Sequence, residues 1–233
     1  MKNHYWETAI VAAGLAVLGF FVYLGLGSLA ERDRVVSVRG LAEREVKADR
    51  VIWPIVYKTT GNDLQALYAR LNDVGETITQ FLVANQVPDS AISLSAPQIV
   101  DLRADRYNTN RTADRYNVTL VTTVTTDKVD LVRSLMPRMG ELLKSGIAIS
   151  VGDYDSQVRY EFNGLNRIKP EMIEQATRNA REAAQQFAKD SESKLGKIKS
   201  ASQGLFTVDS RDQYTPHIKR VRVVTSVNFY LDN

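Results

Sequence analysis

An uncharged run from Ala9 to Ala30, AIVAAGLAVLGFFVYLGLGSLA, constrains this chain more than any other feature. As a helix at ~1.5 Å per residue, its 22 residues reach roughly 33 Å, and a bilayer core is about 30 Å thick. Helices buried in a soluble core are rarely apolar all round for so long. The run is therefore expected to form one transmembrane helix, an N-terminal anchor over residues 1–30, followed by a folded body over residues 31–233. A cleaved signal peptide is the competing reading, because Ser28-Leu29-Ala30 places small residues at cleavage-like spacing before Glu31. The run is longer than the ~7–15 residues of a usual signal core, which favours the anchor. Flanking charge pulls the other way. Lys2 precedes the run, whereas Arg32, Arg34, Arg39 and Arg44 follow it, a count that would hold the body in the cytoplasm. Long domains translocate largely regardless of such charges. Gly25 to Ala30 spells GxGxxA but follows no strand pattern, so it signals no dinucleotide.

What the chain lacks narrows its chemistry. It has no Cys, which excludes disulfides, thiolate metal sites and cysteine nucleophiles. His4 and His217 are the only histidines, leaving little for histidine-based catalysis or metal binding. Lys and Arg total 30 against 27 Asp and Glu, interspersed without a basic run, so no nucleic-acid partner is expected. There is no GxSxG elbow, P-loop or HExxH. Glu43, Glu45 and Asp49 could supply a hydrolase carboxylate pair but sit in the pattern of a solvated strand edge. Asp153 and Asp155 lack EF-hand spacing and suit a polar turn. No catalytic residue, cofactor or metal site is assigned.

After Glu31 the hydrophobic period falls to two. Val36 and Val38 open one strand that Gly40 is expected to interrupt, and Val46, Val51, Trp53, Ile55 and Tyr57 form a second run. Pro54 cannot donate to a ladder, so that strand is expected at an edge or with a bulge. Leu64, Leu67, Leu71, Val74, Ile78, Phe81 and Leu82 recur at helical spacing over 63–86. A strand is expected over about 92–102. The pentapeptide Ala-Asp-Arg-Tyr-Asn then occurs at 104–108 and again at 113–117, flanking polar residues that suit a hairpin tip. Arg and Tyr are enriched at interfaces, so Arg106, Tyr107, Arg115 and Tyr116, with no evident intrachain demand, are the candidate oligomer contacts. A strand to about Thr126, a helix over about 129–143 ended by Gly146, and strands through Phe162 come next. Lys169-Pro170 is expected to open a long helix, stopped at Gly196, whose buried face is Ile173, Ala176, Ala180, Ala183, Ala184, Phe187 and Ala188. A strand over about 197–208 and an alternating strand over 221–231 complete the body. The implied class is α+β: two βαββ-like units joined by a helix in one domain.

The body resembles the SIMPL-domain family, called YggE-like in bacteria. The resemblance rests on Val35 to Asp49 with its Lys47-Ala48-Asp49, on Tyr116 to Leu120 leading into Asp130-Leu131, on the helix Ala176 to Ala188 ending in Lys194-Leu195-Gly196-Lys197-Ile198, and on the strand Val221 to Leu231. The chain departs from the family pattern at Trp53-Pro54 and at His217 to Val221. The resemblance implies a periplasmic body held at the inner membrane, some relatives that close into ring- or cage-like homo-oligomers, and a proposed link to envelope or oxidative stress. It brings no catalytic residues. A self-assembling scaffold is the function expected. A channel-like or solute-binding oligomer is the alternative, and a hydrolase a more distant one.

Overall fold

The computed structural model describes residues 4–31, 34–104 and 113–232, and in the first helix the side chains of Trp6 and of residues 8–23. That helix, α1 (His4–Glu31), leaves Ile10, Leu18 and Phe21 exposed. Among the described residues no helix is long and apolar enough to cross a membrane. At ~1.5 Å per residue, the stretch 8–23 reaches roughly 24 Å, short of the ~30 Å core. The expected transmembrane helix is thereby corrected: within α1 the described side chains of the uncharged run end at Tyr23, and that stretch is too short to cross.

Beyond α1 the chain is mixed helix and sheet, and the chain as a whole divides into two compact units. The larger unit covers residues 45–167 and 208–220. Its six-stranded sheet centres on two long antiparallel strands, β2 (Arg50–Gly61) and β5 (Tyr116–Thr126). Short strands β3 (Ile92–Leu94) and β4 (Gln98–Asp101) flank β5, while β6 (Ile149–Ser150) and β7 (Arg159–Glu161) flank β2. The expected strand over 92–102 is thus split at Ala96-Pro97, since proline supplies no ladder donor. Valine, leucine and aromatic residues alternate inward from both central strands. There Val51, Ile55 and Val124 meet Leu71, Ile78 and Leu82 of α2 (Leu64–Ala84). Asp63 caps α2 by accepting the Gln65 and Ala66 N–H groups.

The expected helix over 129–143 is three pieces: α3 (Val129–Leu135), a 3-10 turn at Met136–Met139, and α4 (Gly140–Lys144). Pro137 and Gly140 interrupt it. Gly146, at φ +76, then closes the end as expected.

Pro54 occupies an interior strand, contrary to expectation. In an antiparallel ladder one residue points its N–H and C=O to the same side. Val121 turns both toward Ser95, so alternate β5 residues, Thr123 included, face β3 and β4. Pro54 lies opposite Thr123 and so faces away from β5. On that side β6 pairs only with Val56 and Tyr57, and β7 only with residues 50–52. The missing donor therefore falls in a gap where no strand asks for it.

The second unit covers residues 1–44, 168–207 and 221–233. Its sheet has the order β1 (Val35–Lys47), β10 (Ile218–Asp232), β8 (Lys194–Gln203), with β9 (Thr207–Ser210) also on β10. The unit boundary cuts β1 after Arg44, β9 after Thr207 and β10 before Val221. The first body strand therefore pairs with the last. β1 runs unbroken through Gly40 and takes in Val46, where an interruption and a second run were expected, and β1 and β2, adjacent in the chain, belong to different sheets.

The long helix α5 (Leu165–Asp190) buries Ala176, Ala180, Ala184 and Ala188, with Ala180 and Ala184 packed on Val38, Val227 and Phe229, whereas Ile173 and Ala183 of the expected face are half-buried and Phe187 is exposed. A Cβ added to Gly40 would stand 1.8 Å from Ala176 O and 2.5 Å from Ala180 N. Strand and helix backbones are in contact there, which explains the run of alanines. α5 starts before Lys169-Pro170, leaving Pro170 inside its first two turns. Its end is also earlier than Gly196: Glu192 takes φ 54, and Ser193 N–H reaches Ala188 O at 2.8 Å.

Candidate functional site

The repeated-pentapeptide segment is a hairpin connection: Asp101 on β4 faces Tyr116 on β5. Arg106 and Tyr107 lie outside the described residues. Arg115 and Tyr116 build the hairpin's base, which corrects the expectation that they lack intrachain work. The Arg115 side chain donates from Nε and Nη2 to Asp101 Oδ2 at 3.0 and 2.9 Å, and its N–H reaches Asn62 Oδ1 at 3.0 Å. Its guanidinium lies 4.9 Å from the Tyr116 ring centroid. Tyr116 packs half-buried against the core of the larger unit. Thr60 Oγ1 donates to Asp114 at 2.6 Å, and Arg103 Nη2 to Ala113 O at 3.0 Å. The Arg115 hydrogen bond, helped by the Arg103 N–H, holds the Asp101 carboxyl below its usual range. The arrangement fixes both strands entering and leaving the loop.

The acidic residues that sequence offered for hydrolysis are dispersed into structural roles. Glu43 lies 3.5 Å from Arg222, and Glu45 3.3 Å from Arg211. Asp49 accepts the N–H groups of Asn163 and Gly164 at 2.7 and 2.8 Å, just ahead of α5. The aspartate of Lys47-Ala48-Asp49 is therefore a helix-start clamp, and it sets the early beginning of α5. Asp153 binds Lys58 and Ser150 in a polar turn. No group of three or more metal-ligating side chains converges among the described residues.

Sequence reasoning missed two clefts in the larger unit. The wider, ≈ 590 Å³, is bordered by Asp49, Arg50, Ser90, Thr126 and Asp127 and lies open to solvent. The other, ≈ 280 Å³, is more enclosed and sits on the sheet face opposite the core. The one signal that could have found it was Pro54, an anomaly in a strand pattern.

No curated protein matches the chain. A family model, SIMPL, described as a protein of unknown function (DUF541), matches residues 36–226. That match begins one residue inside β1 and ends within β10, so it takes in both units and every strand between them. The chain therefore belongs to the SIMPL family.

Proposed function

We propose that this protein is a self-assembling scaffold of the cell envelope, closing into a ring- or cage-like homo-oligomer. The observation that carries the reading is the braced hairpin base, where Asp101, Arg115, Tyr116 and Asp114 are all committed to holding the loop's two ends. A loop braced at its root loses less conformational freedom when its tip meets a partner. The sequence joining β4 and β5 contains Arg106 and Tyr107, the residue types favoured at interface centres. The carboxylates that sequence offered for hydrolysis, Glu43, Glu45 and Asp49, serve as ion-pair partners and a clamp, which favours assembly over catalysis. Closed symmetry follows because a head-to-tail contact that failed to close would grow into filaments. Periplasmic placement and a part in envelope stress come from the family resemblance, and protease protection in intact and permeabilised cells tests the first.

Assembly is tested by sedimentation of a chain beginning at Arg34, which should run as a multimer. Arg106→Ala with Tyr107→Ala should weaken it while leaving the base intact. A body that stays monomeric at high concentration would overturn the scaffold. A multimer indifferent to the double change would remove only the hairpin's role.

A further inference from the structure

The enclosed cleft of the larger unit combines an apolar floor with two unneutralised opposite charges. Ile52 and Pro54 of β2 and Val121 of β5 line it, on the sheet face opposite Val51, Trp53 and Leu120 of the core. Tyr154 forms a wall with its side chain in solvent, 86% exposed. The turn that carries it is held in place: Asp153 binds Lys58 and Ser150, and Ser156 Oγ donates to Asp153 O at 2.9 Å. Asp155 and Arg159 line the same cleft. Among the described residues neither has an ion pair or a side-chain hydrogen bond, with each other or with any other group. Arg115, Arg138 and Arg178, by contrast, each take a carboxylate at 2.7–2.9 Å.

The geometry points to a binding site for a small zwitterion with an apolar side chain, of the free amino-acid type. Its carboxylate meets Arg159, its ammonium meets Asp155, and its side chain lies on Ile52, Pro54 and Val121 beside Tyr154. A simple anion would be repelled by Asp155 and a simple cation by Arg159, so one charge alone fits poorly. The volume selects for size, falling just under the range of about 300–1,000 Å³ that holds drug-sized ligands. Pro54 contributes a rigid apolar ring with no N–H to satisfy, at the place where the ladder is open. The inference stands apart from the assembly reading, since the cleft and the hairpin tip share no residue.

The test is saturation-transfer NMR on the full chain with L-phenylalanine, repeated with phenylacetate and phenethylamine, which each lack one charge. L-phenylalanine should give a saturable signal, and each one-charge analogue should bind at least about tenfold more weakly, as expected for loss of a charged hydrogen bond. Arg159→Gln and Asp155→Asn should each weaken L-phenylalanine by a similar factor, with circular dichroism unchanged. Absence of saturable binding up to about 20 mM would overturn the proposal. So would a one-charge analogue that binds as well as the amino acid, or binding that both substitutions leave intact. If either variant fails to fold, the analogue series on the unaltered chain decides.

Discussion

Thr122 is fully buried in β5 between Leu120 and Val124, and its hydroxyl has no hydrogen-bond partner among the described residues. A buried, unmatched hydroxyl costs free energy that an apolar group of the same shape does not. Thr122→Val should therefore stabilise the larger unit by about 1 kcal/mol, read as a shift in the urea midpoint without a change in slope. His217 gives the opposite lesson. Burial, then the Arg133 guanidinium, with smaller effects from Arg211 and Lys47, pushes its imidazole below the usual 6.5, and Asp130 only partly opposes them. The folded chain thus binds this proton more weakly than the unfolded chain. The resulting stability is present above the ordinary pKa and is lost as pH falls from about 6.5 through the folded value. Melting temperature should drop across that window, and His217→Gln should flatten the drop. Single residues were unevenly legible. Gly146 announced its helix end because glycine favours positive φ. Gln86 and Glu192 adopt φ 68 and 54 at two other helix ends and could not be recognised, since tertiary packing imposes a conformation their side chains do not advertise.

Helix α5 and strand β1 meet through Gly40 with no side chain between them. Gly40→Ala places a methyl group on helix backbone that cannot rotate aside, so we expect a loss of about 3 kcal/mol or more. Ala180→Leu, at a fully buried position on the same face, should cost roughly 1–3 kcal/mol. Thermal denaturation of both variants checks this, and an unchanged melting temperature in either would remove the close contact. The alanine face was readable from its spacing, because small residues at every fourth position serve little purpose except close approach. The helix start was not readable. Lys169-Pro170 looked like a first turn, but the Asp49 carboxylate, over a hundred residues earlier, fixes the start through Asn163 and Gly164. Local signals lost to a distant cap. The same holds for β2, whose proline suggested an edge because the gap between β6 and β7 has no local mark.

At the scale of the whole molecule, the alternation and helical periods indicated helices packed on antiparallel sheet, and four stretches indicated the family. Neither revealed that β1 and β2, adjacent in the chain, belong to different sheets. Pairing between strands is a long-range choice that hydrophobic period does not encode. The enclosed cleft was hidden for the same reason, since β2, β5 and the β6–β7 connection are brought together only by the fold. Assembly carries a thermodynamic signature here. If copies associate only when folded, the melting temperature of the chain beginning at Arg34 should rise with protein concentration. A concentration-independent value would argue against the scaffold.

The pairing of β1 with β10 has a consequence for biosynthesis. About 170 residues separate Lys47 from Ile218. At about 5–20 residues per second, a ribosome takes roughly ten to thirty seconds to deliver the partner strand. During that interval the elements of residues 50–161 can already pair among themselves, whereas β1 waits as an unmatched edge next to an apolar N-terminus. The nascent chain therefore has a built-in period of vulnerability to wrong pairing, which ends only when β10 becomes available.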